Sequence, residues 1–263
     1  MNYLKSLWAY RGFIVSSIER EFQSKYRNSL LGALWTVINP LAMITVYTVI
    51  FSQVMRTKLP GLNSEFGYSI YLCSGILSWG LFSEVVVRLQ NIFLENANLL
   101  KKVSFPRLCL PVVAVGSAGL NFLIIFGIFT VFLIFSGSFP GVVFVALMPL
   151  LGITVALAVG IGITLGILNV FYRDIGQFFG IFIQFWFWLT PIVYPVKAIP
   201  ERIQNFMIYN PMAPVISGFQ SVMANGQWPD WQSQTYPALL GFILCLFGLR
   251  LFRRHAGDVV DEL

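Results

Sequence analysis

Neither residues 110–135 nor residues 142–171 contain a charged side chain. A water-soluble fold cannot hide two such runs and still clothe itself in polar surface. A membrane-crossing helix needs about 20 consecutive, mostly apolar residues. The pattern recurs, less pure, at residues 34–55, 68–89, 178–194 and 235–252. Six spans are therefore expected, with the run 142–171 long enough to tilt. The totals agree. The 263-residue chain is 57% hydrophobic and 11% charged, with a mean hydropathy of +0.77, whereas a soluble globule is about 25% charged. The expected fold class is an all-α integral membrane protein, a single transmembrane domain over residues 1–263.

The net charge of +6 does not gather into a nucleic-acid patch. Lys5, Arg11, Arg20, Lys25 and Arg27 precede the first span. Lys101, Lys102 and Arg107 lie between the second and third, Arg173 between the fourth and fifth, and Arg250, Arg253 and Arg254 after the sixth. The opposite loops hold only Arg56, Lys58, Lys197 and Arg202. By the positive-inside rule both termini are expected in the cytoplasm. Arg11 interrupts the first apolar stretch and no small-residue cleavage site follows, so a signal peptide is not expected. Residues 1–30 are too charged to span. Leu4, Leu7, Trp8, Ile14, Val15 and Ile18 recur at helical spacing. This predicts an amphipathic helix, lying on the cytoplasmic surface with Trp8 at headgroup depth or packed on protein.

Catalytic chemistry has little to work with. Cys73, Cys109 and Cys245 show no CxxC spacing and read as packing residues. His255 sits in a basic tail and reads as solvated. No metal-ligand cluster and no Ser/His/Asp constellation occurs. Glu84 is the one acid well inside a predicted span, with Arg88 four residues on. That spacing favours a helix ion pair over a proton relay. No GxxxxGK[ST] occurs, so the chain cannot cradle nucleotide phosphates in the P-loop manner. It is not expected to be an enzyme or to hold a cofactor of its own. Any energy it uses must come from another polypeptide.

Several faces could line a path. Phe178, Phe182 and Phe185 share a side of the ring-rich fifth span. Such rings suit the apolar faces of sugars, and equally lipid or core. Thr45, Thr48 and Ser52, with Tyr47 beside them, could line a polar path or bond to helix backbone. Small residues form two lines on the fourth span, Gly152, Ala156, Gly160 and Thr164, and Ala158, Gly162 and Gly166. Both predict close helix packing. Residues 198–225 are too Pro-broken to span and too apolar for a plain loop. They predict two short helices split at Asn210–Pro211, one with Ile203, Phe206 and Met207 on a face, the other with Val215, Phe219 and Val222. These either dip into the outer leaflet or cap the surface.

Five stretches, EREFQSKYRNSLLGALWTVINPL, LENANLLKKVSFPRLCLPV, NVFYRDIGQ, LTPIVYPVKAIPE and YNPMAPVI, resemble in order the permease subunits of ABC-2-type exporters of polysaccharide. That group moves O-antigen, capsule and teichoic acid. The resemblance runs nearly the whole chain and implies the following. Two copies pair as half-channels in the bacterial inner membrane, and two separate ATP-binding subunits, holding ATP and magnesium, dock beneath. The cargo is a lipid-linked polysaccharide, with O-antigen favoured. The loop at 94–107 is a cytoplasmic coupling helix, carrying Glu95, Asn98, Leu99, Leu100, Lys101, Lys102 and Arg107. For such a cargo, ring stacking and hydroxyl contact make Tyr47, Thr48, Phe182 and Phe185 the residues expected to line the conduit. Ile203, Phe206, Met207, Phe219 and Val222 belong to an outer gate. Rival readings are a same-fold drug or lipid exporter, a passive channel or scaffold, and a membrane enzyme acting on polyprenyl-linked sugars. The last would need charged clusters in its loops, where the outer side offers only Glu65, Glu201 and Asp230.

Overall fold

A computed structural model describes residues 7–26, 34–49, 66–102, 106–196, 200, 204, 206–255 and 257–262. Among them the regular structure is entirely helical. We number the helices α1 Arg11–Tyr26, α2 Trp35–Val49, α3 Gly67–Glu95, α4 Ala97–Lys102, α5 Cys109–Phe135, α6 Leu147–Phe171, α7 Asp174–Leu189, α8 Met212–Asn225, α9 Trp231–His255 and α10 Asp258–Glu262. Leu4, Ser52 and Ile203, and the side chains of Tyr47 and Thr48, lie outside the described residues.

Four of these helices are long and apolar enough to cross a membrane: α3, α5, α6 with its leading 3-10 turn Gly141–Ala146, and α9. Of the first expected span only residues 34–49 are described, and Trp35–Val49 is helical. The fifth expected span differs. The helix α7 ends at Leu189, five residues before the predicted end of its span. The cause is local. Thr190 precedes Pro191, and a residue before proline is pushed out of the helical region. Thr190 is accordingly extended, at φ −103° and ψ 136°. At 16 residues α7 is about 24 Å long, short of a hydrocarbon core of about 30 Å. The irregular chain that follows is buried in protein, with Thr190, Pro191 and Ile192 screened from the surroundings, the condition under which non-helical backbone is tolerated at depth. Pro111 sits in the first turn of α5, where its missing N–H would have had no partner anyway.

The centre of the bundle is α6, packed on α9 along one side and α3 along the other. Lipid tails are as apolar as leucine, so close packing rather than burial from water must hold spans together. The two lines of small residues supply it. A Cβ on Gly160 would lie 2.6 Å from Leu244 Cβ and 2.7 Å from the Cys245 nitrogen, both on α9. A Cβ on Gly162 would lie 2.7 Å from Leu89 Cβ, and one on Gly166 would strike the Leu89 carbonyl, both on α3. The cysteines pack as expected: Cys73 and Cys109 are buried, and the Cys245 thiol lies 3.0 Å from the Ala156 carbonyl at the α6–α9 contact. His255 is not simply solvated. Its ring stands edge-on to Phe171, and Nδ1 lies 2.9 Å from Asp258 Oδ2.

On one flank α1 packs on α5, with Ile18 against Gly116. Trp8 and Val15 stay exposed, so the N-terminal helix uses one side on protein and leaves another free. At the far end α8 is wedged against α3, with Met212, Val215, Ile216, Phe219 and Val222 fully buried.

Candidate conduit

The longest buried helix, α3, also forms the floor of an open groove. On one side lies a recess of about 290 Å³ walled by α2 and α5, lined by Trp35, Asn39, Met43, Gly80, Glu84 and Asn121 among others. On the other lies a recess of about 560 Å³ walled by α7, lined by Trp79, Ser83, Glu84, Val87, Ile183, Gln184, Phe187 and Trp188. Glu84 lines both. Both walls are mainly apolar, with the polar groups Asn39, Ser83, Glu84, Asn121 and Gln184 set among rings and aliphatic side chains.

Glu84 is held in place from three helices. Arg88 Nε donates to Glu84 Oε1 at 3.0 Å, the expected helix pair, and Asn121 Nδ2 of α5 donates to Oε2 at 2.8 Å. Arg88 Nη1 also reaches Glu21 Oε2 of α1 at 3.2 Å. One guanidinium thus serves two carboxylates, and α1 is tied to α3 through it. Charged groups within a membrane protein persist when paired in this way.

Behind the α7 wall, Trp186 meets Trp79 at 5.8 Å and Phe82 at 5.2 Å, both edge-on. Its Nε1 donates to Asn210 Oδ1 at 3.0 Å, which also accepts from the Met212 nitrogen, while Asn210 Nδ2 donates to Thr190 Oγ1 at 2.9 Å. Asn210 therefore fixes the break before Pro211 and starts α8. Buried glutamines finish the clamp: Gln220 Nε2 donates to the Ile192 carbonyl and Gln234 Nε2 to the Pro214 carbonyl. These bonds tie α7 and the segment after it to α8, and α8 to α9.

At the near end a second buried knot joins α3, α6 and α7. Asn169 Nδ2 donates to the Gln90 carbonyl at 3.1 Å, and Asn169 Oδ1 accepts from the Gly176 nitrogen at 3.0 Å. Gln90 Nε2 returns to the Gly176 carbonyl at 3.0 Å. A Cβ on Gly176 would sit 2.7 Å from Asn169 Oδ1, which is why the stretch NVFYRDIGQ needs glycine there.

The residues singled out from sequence fall as follows. Phe182 and Phe185 lie on the outer side of α7, 41% and 65% exposed, in line with Phe178, and neither lines the recess facing α3. That recess is lined by Ser83, Gln184, Trp79 and Trp188 among others. Gln184 was legible as the polar residue amid the rings IFIQFWFWL, and its significance went unread. Thr45 Oγ1 donates to the Leu41 carbonyl at 2.7 Å, the backbone alternative for that stripe. In the 94–107 segment, Asn96 closes α3 by donating Nδ2 to the Ile92 carbonyl, and its own carbonyl accepts from Leu99 and Leu100 to start α4. Glu95, Asn98, Lys101 and Lys102 are exposed, Leu99 and Arg107 are half-buried, and Leu100 is buried against the chain itself. Phe206 is exposed and Met207 half-buried, whereas Phe219 and Val222 face the interior of the bundle.

Residues 13–224 match the ABC-2 type transporter family. The chain belongs to that family. This ABC-2 chain is 32% identical to an O-antigen export system permease protein of Klebsiella pneumoniae over 242 residues, 92% of this chain and 91% of the relative. It is 28% identical to a protein of the same description from Myxococcus xanthus over 264 residues, 99% and 98% of the two chains. It is 20% identical to a polysialic acid transport protein of Escherichia coli over 239 residues, 89% and 90%. Membership makes it a multi-pass transport chain rather than an enzyme.

Proposed function

We propose that this chain is the permease subunit of an ATP-driven exporter that carries a lipid-linked polysaccharide, O-antigen in the first instance, across the bacterial inner membrane. The observation that carries the reading is the open groove on α3. A path for a polar chain must be wetted and must bind weakly at many places. One copy offers half of such a path, with Ser83, Glu84 and Gln184 as polar contacts and Phe187 and Trp188 as rings that stack on sugar faces. A second copy facing the first closes it. The names of the relatives supply the cargo class.

In this reading both termini and α4 face the cytoplasm, and two ATP-binding subunits dock there. Glu95, Asn98, Lys101 and Lys102 form the face they meet, while Leu100 anchors α4 to the bundle. Phe206 and Met207 form the outer part of the gate, with α8, which carries Phe219 and Val222, as its abutment. Deleting the gene should abolish surface polysaccharide and leave the lipid-linked chain inside the cell. Complementation with the wild type should restore export. Complementation with Lys101→Glu/Lys102→Glu should restore membrane insertion but less than about a tenth of export, since reversed charges across an interface repel the partner. Surface polysaccharide at the normal level in the deletion strain would refute the function. Normal export by the double variant would refute the docking face.

A further inference from the structure

Away from the groove, a second cavity of about 380 Å³ lies where α1 crosses α3 and α5, lined by Glu21, Arg88, Glu95, Asn96, Ser117 and Asn121 together with Ile18, Phe22 and Leu120. Ser117 is 9% exposed, and its hydroxyl has no hydrogen-bond partner among the described residues. A buried orphan hydroxyl is costly and rare. It marks a place where something else supplies the bond. Phe22 and Leu120 also line an apolar groove that leads off between α1 and α5 past Leu123 and Ile124. Leu123 is 64% exposed. A polar cavity joined to an apolar groove on the outside of a membrane bundle has the form of a lipid site, a headgroup pocket with a track for an acyl chain.

The charges choose the headgroup. Two carboxylates, Glu21 and Glu95, face the cavity against one cation, and Arg88 is already engaged with Glu21 and Glu84. Glu95 makes no ion pair among the described residues. The side-chain nitrogens of Asn96 and Asn121 each give one N–H, to the Ile92 carbonyl and to Glu84, and their oxygens remain as acceptors. The lining is therefore net negative and rich in acceptors. It repels a pyrophosphate or an anionic lipid and suits a primary ammonium, whose three N–H donors such acceptors satisfy. Ser117 adjoins Gly116, where the amphipathic α1 packs on α5. We propose that this cavity binds an aminophospholipid of the phosphatidylethanolamine type, its ammonium on Glu95 and Asn96, its phosphate on the Ser117 hydroxyl and one acyl chain along Phe22 and Leu123. The lipid cements α1 to α5. The inference holds whatever the cargo.

The test is competition on the purified full-length chain. It is equilibrated with equal amounts of phosphatidylethanolamine, phosphatidylcholine and phosphatidylglycerol, with a polyprenyl phosphate as a fourth probe, and retained lipid is counted by native mass spectrometry. Phosphatidylethanolamine should exceed each of the others by about tenfold, the scale of one charge-assisted hydrogen bond. Glu95→Gln should reduce that preference to about twofold, and a bulky thiol label on Leu123→Cys should reduce retention outright. Equal retention of all lipids, preference for the anionic ones, or displacement by the polyprenyl phosphate would overturn the proposal. So would a preference that neither variant moves, because the lipid would then be bound elsewhere.

Discussion

Replacing Arg88 by leucine is expected to loosen the whole cytoplasmic half of the bundle and to reduce the folded, extractable protein several-fold. The substitution keeps the bulk of the stem but removes the one cation shared by Glu84 and Glu21. Both carboxylates are then left without their cation. An unpaired charge at the centre of a membrane helix costs about 2.5–3.5 kcal/mol. The three side chains are 25–40% exposed, so water screens part of that cost, and about 2 kcal/mol is the expected loss. Thermal unfolding in detergent reads it. The sign of the coupling separates charge from packing. Glu84→Gln added to Arg88→Leu should recover part of the lost stability, because the stranded carboxylate is gone. A double variant that is less stable than Arg88→Leu by the full cost of Glu84→Gln alone would show the two residues to act independently.

Valine at Gly160 should be nearly as damaging, for a different reason. The new Cβ would press on Leu244 Cβ at 2.6 Å and on the backbone of Leu244 and Cys245 at 2.7 Å. Backbone cannot swing aside as a long side chain can, so α6 and α9 must part along their length. Overpacking of this kind costs about 1–3 kcal/mol, and here it also weakens the contact that holds a terminal span in place. Gly152 on the same helix is the control. A Cβ there meets nothing within 4 Å, and Gly152→Val should change stability by less than about 0.5 kcal/mol. Equal loss at both positions would mean that glycine matters for its backbone and not for the close approach.

The sequence made some of this architecture plain. Four apolar runs became membrane-length helices because their length and purity leave a chain no other way to satisfy its backbone. The small residues of α6 announced tight packing, and their two lines could be read from spacing alone. Which helix each line would meet could not, since α3 and α9 lie on opposite sides in sequence. The Glu84–Arg88 pair was local and visible. Its extension to Glu21 and Asn121 was not, because it joins residues 67 and 37 positions apart. The fifth span was overdrawn because hydropathy does not register that Thr190 is held extended before Pro191. The aromatic stripe shows the same limit. Periodicity shows that Phe178, Phe182 and Phe185 share a face, and says nothing about which neighbour that face meets. A lone polar residue among rings, Gln184, carried better information about the groove than the rings did. The buried Asn169 carried the same kind of signal for the knot at the other end.

The central claim is that sugar travels along the groove on α3. A photo-crosslinking amino acid placed at Gln184, in the complete exporter stalled with a polysaccharide in transit, tests it at the atom where contact is claimed. The same group at Phe242 of α9, 62% exposed and remote from the groove, reports contact with the outer surface. The account predicts a polysaccharide adduct at position 184 and at Ser83, and none at position 242. No adduct at 184 or 83 in a transporter that still exports, or adducts of equal yield at 242, would contradict it.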